Sequence, residues 1–114
     1  MRVLHNPRCS KSRGVLELLR DAGYTPAVLL YREGALTAAL LDEVVEKTGQ
    51  PLRALLRTKE EASSEALALD DASLPAFVLA HPELLERPIV LTDTAGIVAR
   101  PPELVWTIVP PEGP

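Results

Sequence analysis

The sequence predicts an α/β protein in which four strands form a mixed sheet with helices on both faces. Apolar runs of strand length stand near both ends of the chain, and segments with leucine and valine at helical spacing lie between them. The predicted order is strand, helix, strand, several helices, strand, strand and helix. A helical subdomain, about residues 37–86, is therefore inserted between a βαβ half and a ββα half.

The βαβ half begins with the short apolar run Arg2–His5, which predicts a buried strand because a proline turn follows it. A helix comes next, with Ser10 or Ser12 as its cap and Gly23 after its last apolar residues. Pro26–Tyr31 is an unbroken apolar run, which predicts a second strand in the centre of the sheet, covered on both faces. A parallel pair with a right-handed crossover is expected.

The rest of the chain contains the helical insertion and the ββα half. One helical pattern covers Thr37–Gly49, and Pro51–Glu86 predicts several short helices and no strand. Pro88–Thr92 and Ile97–Arg100 flank a short polar turn, which is typical of a hairpin. Pro101 then begins a final helix, where its missing N–H costs nothing.

The composition predicts one small domain. A chain of 114 residues is long enough for a single hydrophobic core, so residues 1–109 are expected to fold together and 110–114 to form a flexible tail. One cysteine and two histidines allow neither an internal disulfide nor a metal-ligand pattern. The protein is expected to be a cytoplasmic monomer, with no bound cofactor and no membrane span.

The charge balance excludes some partner classes. The net charge of −4 argues against broad nucleic-acid or membrane-surface binding, because both need a dense positive field. Nine of the 12 basic residues are nevertheless arginine, the side chain that grips oxyanions with two donors at once. Genome composition would produce the same excess, so the ratio alone leaves both explanations open.

Cys9 is the main candidate for chemistry because it lies where the first strand gives way to the first helix. Unpaired backbone N–H groups and the positive end of the helix dipole both favour a thiolate there. A buried structural cysteine is the alternative, but Arg8, Lys11 and Arg13 make the surroundings polar and basic. Ser12 stands where thiol-disulfide oxidoreductases carry a second cysteine. An oxidised Cys9 therefore has to be reduced by an external thiol.

Four short motifs resemble those of the glutaredoxin-linked arsenate reductases, which have a thioredoxin-like fold. Each motif is weak alone, but their order and spacing match over nearly the whole chain. They are His5-Asn6-Pro7-Arg8-Cys9-Ser10-Lys11-Ser12-Arg13, Arg53-Ala54-Leu55-Leu56-Arg57, Arg87-Pro88-Ile89-Val90 and Arg100-Pro101.

The resemblance implies one reaction and a role in it for the main residues of these motifs. Cys9 would attack arsenate and displace one oxygen, and glutathione and then a glutaredoxin-like partner would reduce the adduct to arsenite. Arg57, Arg87 and Arg100 would bind the oxyanion. This division of labour is physically sensible, because a dianion repels a thiolate unless cations cancel its charge. Arg53, one helical turn before Arg57, is a weaker fourth candidate.

The resemblance also implies supporting residues. His5 would favour the thiolate, and Asn6 would brace the loop before the cysteine. Ser12 could donate to the sulfur or cap the helix, and we expect the cap. Pro88 would follow a cis peptide bond and lie beside the cysteine. Tyr31 and Trp106 are expected to be core or edge aromatics.

Two other functions use similar folds. An RNA-polymerase-binding redox regulator resembles this chain but usually carries a two-cysteine switch, which Ser12 interrupts. A one-cysteine thiol transferase has no need of three arginines. The sequence therefore favours arsenate reduction.

Overall fold

The computed structural model describes residues 1–114 and confirms a four-stranded mixed sheet with helices on both faces. The strands are β1 (Arg2–Leu4), β2 (Ala27–Leu29), β3 (Ile89–Leu91) and β4 (Gly96–Val98). The α-helices are α1 (Ser10–Asp21), α2 (Ala38–Thr48), α3 (Ser63–Ala68) and α4 (Leu74–Ala80). Four 3-10 helices cover Tyr31–Glu33, Leu52–Leu55, Pro82–Leu84 and Pro102–Thr107. No helix has both the length and the apolar composition needed to cross a bilayer.

The sheet separates two hydrophobic clusters. Its strand order is β2-β1-β3-β4, with β1 and β2 parallel and the other neighbours antiparallel. Because side chains alternate along a strand, Val3 and Val90 pack toward α1 and the last 3-10 helix. Leu4 and Ile89 pack on the other face, in a cluster of 14 buried residues that includes side chains of α2 and α4.

The prediction that the second strand is central was wrong. β2 lies at the edge of the sheet, and the two central strands are β1 and β3. Val28 and Leu30 are 36% and 37% exposed, so the apolar run Pro26–Tyr31 is not covered on both faces. An apolar run predicts a strand, but the pairing that decides its position depends on β3, some 60 residues later in the chain.

The predicted helical insertion is confirmed. Thr37 caps α2 by accepting a hydrogen bond from the Leu40 N–H at 3.1 Å, and Gly49 ends the helix with a φ of 67°. The segment after it forms short helices, together with one isolated antiparallel bridge between Leu56 and Leu85. The final helix is 3-10 rather than α over its whole length.

The register brings four chain segments to one edge of the sheet. Leu4 pairs with both Leu29 and Ile89, and Ile89 pairs with Val98. The chain leaves β1, β2 and β4 at this row of residues and enters β3 there. The segments that carry Cys9, Tyr31, Arg87 and Arg100 therefore meet at this edge, although they are far apart in sequence.

Candidate active site

Cys9 occupies the N-cap position of α1, with φ −95° and ψ 123°, and its side chain is partly exposed. A tight turn holds it there, because its N–H donates to the carbonyl oxygen of Asn6 at 3.0 Å. Burial raises the pKa of the thiol, but the backbone N–H of Ser12, the Arg87 side chain and the backbone N–H of Lys11 together outweigh burial. The pKa of Cys9 is therefore lowered, and the sulfur is prepared to act as a thiolate.

Two arginines surround the sulfur. Nη1 of Arg100 donates to Sγ of Cys9 at 3.7 Å and to the carbonyl oxygen of Arg87 at 3.1 Å. The contact of Arg100 with the sulfur is long, so stabilisation of the thiolate depends more on Arg87 and the helix N–H groups. Nε of Arg100 lies 3.4 Å from Oε2 of Glu86, and this ion pair helps to hold the guanidinium in place.

Arg57 reaches the same region through the Leu56–Leu85 bridge. The N–H of Arg57 donates to the Leu84 carbonyl oxygen at 2.7 Å, which places it beside the segment that carries Arg87. Oε1 of Glu60 lies 2.9 Å from Nε of Arg57 and 3.7 Å from Nη1 of Arg87. The buried Nε atoms of Arg57 and Arg87 make no hydrogen bond. The short contact between Arg57 and Glu60 is therefore an ion pair without hydrogen-bond alignment.

Ser12 does not cap α1, so that prediction was wrong. No side chain caps this helix, and Ser12 is fully buried inside its first turn. Its hydroxyl lies 2.6 Å from Nδ1 of His5 and accepts a hydrogen bond from the Asn6 N–H at 3.0 Å. Both contacts are satisfied when Ser12 donates to Nδ1 and the ring proton stands on Nε2. Ser12 therefore ties the helix to the end of β1.

His5 and Asn6 hold the loop before the cysteine. Burial lowers the pKa of His5, and the positive charges of Arg20 and Arg13 lower it further, so the ring is neutral near pH 7. His5 touches Ser12 rather than Cys9. Oδ1 of Asn6 accepts a hydrogen bond from the Arg8 N–H at 3.0 Å. These contacts position the loop without adding charge to the sulfur.

The structure also places the remaining candidates. The Arg87–Pro88 peptide bond is cis, as the resemblance implies, and Arg100–Pro101 is a second cis bond. Arg53 points away from the site, since its guanidinium donates to the carbonyl oxygens of Leu67 and Leu69 and to Asp71.

Sequence reasoning missed two residues at the edge of this site. Glu60 stands three residues after Arg57, and only the fold of that loop brings its carboxylate to two arginines. Tyr31 is a core residue as expected, but its hydroxyl has no hydrogen-bond partner. The position of Tyr31 could have been found in the sequence, because it follows a strand predicted to be parallel to the strand before Cys9.

A cysteine at a helix N-terminus, with arginines around it, is an arrangement typical of thiol enzymes that act on oxyanions. Comparison with known proteins gives the family. The ArsC family profile matches residues 4–108, so the chain belongs to the ArsC family.

Similar proteins support this membership and the thioredoxin-like fold. The uncharacterized protein YfgD of Escherichia coli strain K12 is 42% identical, with 96% of each chain covered. An Escherichia coli arsenate reductase is 40% identical over 95% of this chain and 79% of its own length. The structure of an arsenate reductase from Vibrio cholerae matches with a TM-score of 0.88 and 38% identity, covering 95% of this chain and 96% of that one.

Proposed function

We propose that this protein is an arsenate reductase in which Cys9 forms a covalent bond to arsenic. The thiolate attacks the arsenic atom, an S–As bond forms and one As–O bond breaks. The departing oxygen takes up protons and leaves as water, while arsenic remains As(V). The observation that carries this proposal is the position of the Cys9 sulfur at the N-terminus of α1, 3.7 Å from Nη1 of Arg100, and the lowered pKa of the thiol beside Arg87 agrees with it.

The arginines make the attack possible. Arg57, Arg87 and Arg100 neutralise the charge of the oxyanion, which otherwise repels the thiolate. Their guanidinium groups have fixed, planar donors, so they can also stabilise the charge that develops on the departing oxygen. The buried Nε of Arg87, which has no hydrogen-bond acceptor, supports this role because an anion would supply the missing acceptor.

The second half of the reaction needs an external thiol, because the chain has one cysteine. A glutathione thiolate attacks Sγ of the adduct, and the electron pair of the S–As bond stays on arsenic. Arsenic is reduced to As(III) and leaves as arsenite, while Cys9 is oxidised to a mixed disulfide with glutathione. A glutaredoxin-like protein, with further thiol, then returns Cys9 to the free form.

A cavity next to the cysteine loop supports glutathione as the thiol. It has a volume of about 420 Å³, and the loop residues Pro7 and Arg8 line it together with Arg32 and Glu33. Glutathione carries two carboxylates and one ammonium group, which match two arginines and one glutamate. We further propose that the protein acts as a monomer in the cytoplasm, whose reducing conditions suit a free cysteine.

A reconstituted assay tests the proposal. Purified protein is mixed with arsenate, glutathione and a glutaredoxin, and arsenite is measured. We expect arsenite with the wild type, none above background with Cys9→Ser, and unchanged activity with Arg20→Gln on the exposed face of α1. Equal rates for wild type and Cys9→Ser would contradict the proposal.

A comparison of two substrates, arsenate and a glutathione mixed disulfide, separates a reductase from a thiol transferase. Arg87→Ala should abolish arsenate reduction while leaving reduction of a glutathione mixed disulfide largely intact, because only the oxyanion needs the guanidinium. Equal loss of both activities would favour the transferase.

A further inference from the structure

Three buried side-chain polar atoms in this protein lack a hydrogen-bond partner, and all three can donate a hydrogen. They are Oη of Tyr31 and Nε of Arg57 and Arg87. Folded proteins leave few such atoms unpaired, because each loses its hydrogen bond to water on burial. Of the three, Nε of Arg57 has an ion-pair contact with Oε1 of Glu60 at 2.9 Å, so Oη of Tyr31 and Nε of Arg87 are the donors left without a partner. Buried donors of this kind match a ligand that offers acceptor oxygens.

Tyr31 belongs to the same place as the two arginines. The charges of Arg87, Arg32, Arg57 and Cys9 all act on the ionisation of its hydroxyl, so three of the four charged groups that affect it belong to the site. Burial has the largest effect and raises the pKa of the phenol, so the O–H keeps its proton at neutral pH. The group is therefore a neutral donor over the physiological range.

The fold gives this hydroxyl no other partner. The side chain of Tyr31 is 1% exposed and its ring belongs to the large core cluster, so bulk water does not satisfy the hydroxyl in the unliganded protein. The residue follows β2, whose last residue pairs with the last residue of β1, and the chain continues from β1 to Cys9. The packing of the ring thus holds Tyr31 at the edge of the sheet where the site lies.

We infer that Tyr31 is a further oxyanion-binding residue, whose phenol O–H donates to an oxygen of the tetrahedral anion held by Arg57 and Arg87. The inference rests on the proposed function and deepens it. A neutral donor adds directed hydrogen bonding without adding charge, so it contributes to the orientation of the anion rather than to its attraction. Tyr31 acts with the arginines on the substrate and takes no covalent part in the reaction.

Protection of Cys9 from alkylation measures anion binding without turnover. Sulfate is the unreactive probe and arsenate, without glutathione, is the second probe. The rate of Cys9 alkylation by iodoacetamide is followed as each anion is added. For Tyr31→Phe we expect that the concentration giving half-protection rises at least about tenfold, because a hydrogen bond to a charged group contributes about 1.5–3 kcal/mol.

Tyr24→Phe is the matched control. The Tyr24 hydroxyl donates to the Pro110 carbonyl oxygen at 2.7 Å, near the other end of the sheet, so its loss should leave half-protection unchanged. Without a bound anion, Tyr31→Phe should be at least as stable as the wild type in urea, because the substitution removes a buried hydroxyl that has no partner. A tyrosine with only a structural role would not combine unchanged stability with weaker anion binding.

The outcomes are distinct. Equal protection of wild type and Tyr31→Phe would overturn the inference and leave the proposed function standing. A wild type that neither anion protects would overturn both. A Tyr31→Phe variant that loses stability and binds anions like the wild type would also overturn the inference, since the hydroxyl would then serve the fold.

Discussion

Oε1 of Glu60 lies 2.9 Å from Nε of Arg57. The same carboxylate oxygen lies 3.7 Å from Nη1 of Arg87, so Glu60 stands between two arginines that we assign to the oxyanion. A bound oxyanion would have to share these cations with Glu60 or displace it. If these arginines bind the oxyanion as proposed, the carboxylate competes with the substrate for them.

Glu60→Gln should lower the KM for arsenate. The substitution removes the competing negative charge, and partly exposed ion pairs are worth about 0.2–1 kcal/mol, which corresponds to roughly a 1.4- to fivefold change in binding. Steady-state kinetics give the KM. The adjacent and exposed Glu61 supplies the control, since Glu61→Gln should leave the KM unchanged. A KM that rises in Glu60→Gln would show that the carboxylate positions the arginines instead.

The alkylation of Cys9 should follow a pH profile shifted to low pH. Because the pKa of the thiol is lowered, iodoacetamide should react at half its maximal rate at a pH below the ordinary pKa of cysteine, 9.0. Arg87→Gln should move this midpoint upward, because the guanidinium stabilises the thiolate. Arg20→Gln removes a charge of the same kind at the far end of α1 and should move it little. The same midpoint in Arg87→Gln and the wild type would show that the helix N–H groups suffice.

Ser12→Ala should destabilise the fold. It removes the contact with His5 and leaves the buried N–H of Asn6 without its acceptor, a loss of about 1–3 kcal/mol in the free energy of unfolding. Urea denaturation measures this quantity. Ser10→Ala, exposed at the start of the same helix, should change it by less than about 0.5 kcal/mol. Equal effects for the two variants would contradict the role assigned to Ser12.

His5 should titrate below about pH 6.5. Its pKa is lowered in the folded state, so between pH 6.5 and the folded pKa the unfolded chain binds a proton that the native protein does not. The free energy of unfolding should therefore fall as pH drops through this range, and His5→Gln should lose that part of the dependence. Proton NMR follows the ring directly, and His81→Gln identifies which resonance belongs to His5. A folded pKa at or above 6.5 would contradict the prediction.

The sequence predicted where the strands and helices lie in the chain better than it predicted which strands are neighbours in the sheet. Helical spacing located α2, and the turn after Pro88–Thr92 located the hairpin, because local patterns determine both. The edge position of β2 was not predictable in this way, since it depends on the pairing of β1 with β3 on its other side. Local apolarity does not encode that choice.

The site was predictable where a motif carries it and not where the fold creates it. Cys9 and the arginines were found from their motifs, and the structure brings them together. Ser12 was misjudged because its partner, His5, lies on the preceding strand, and a rule for helix ends considers only the helix. Glu60 and the Tyr31 hydroxyl were missed because their possible roles depend on contacts, or on the lack of a partner, that arise only in the folded chain.

The pairing of β3 with β4 determines how far Arg100 can reach. Ile89 is opposite Val98, and this alignment leaves Nη1 of Arg100 at 3.7 Å from the sulfur. An inserted residue in the turn between the strands that shifts β4 by one position would move Arg100 by about 3.4 Å and reverse the faces of the strand. All the catalytic groups would remain in the chain, yet the anion would lose one of its cations. Under the proposed function, the length of a turn at the far end of the sheet thus decides whether Arg100 can reach the substrate.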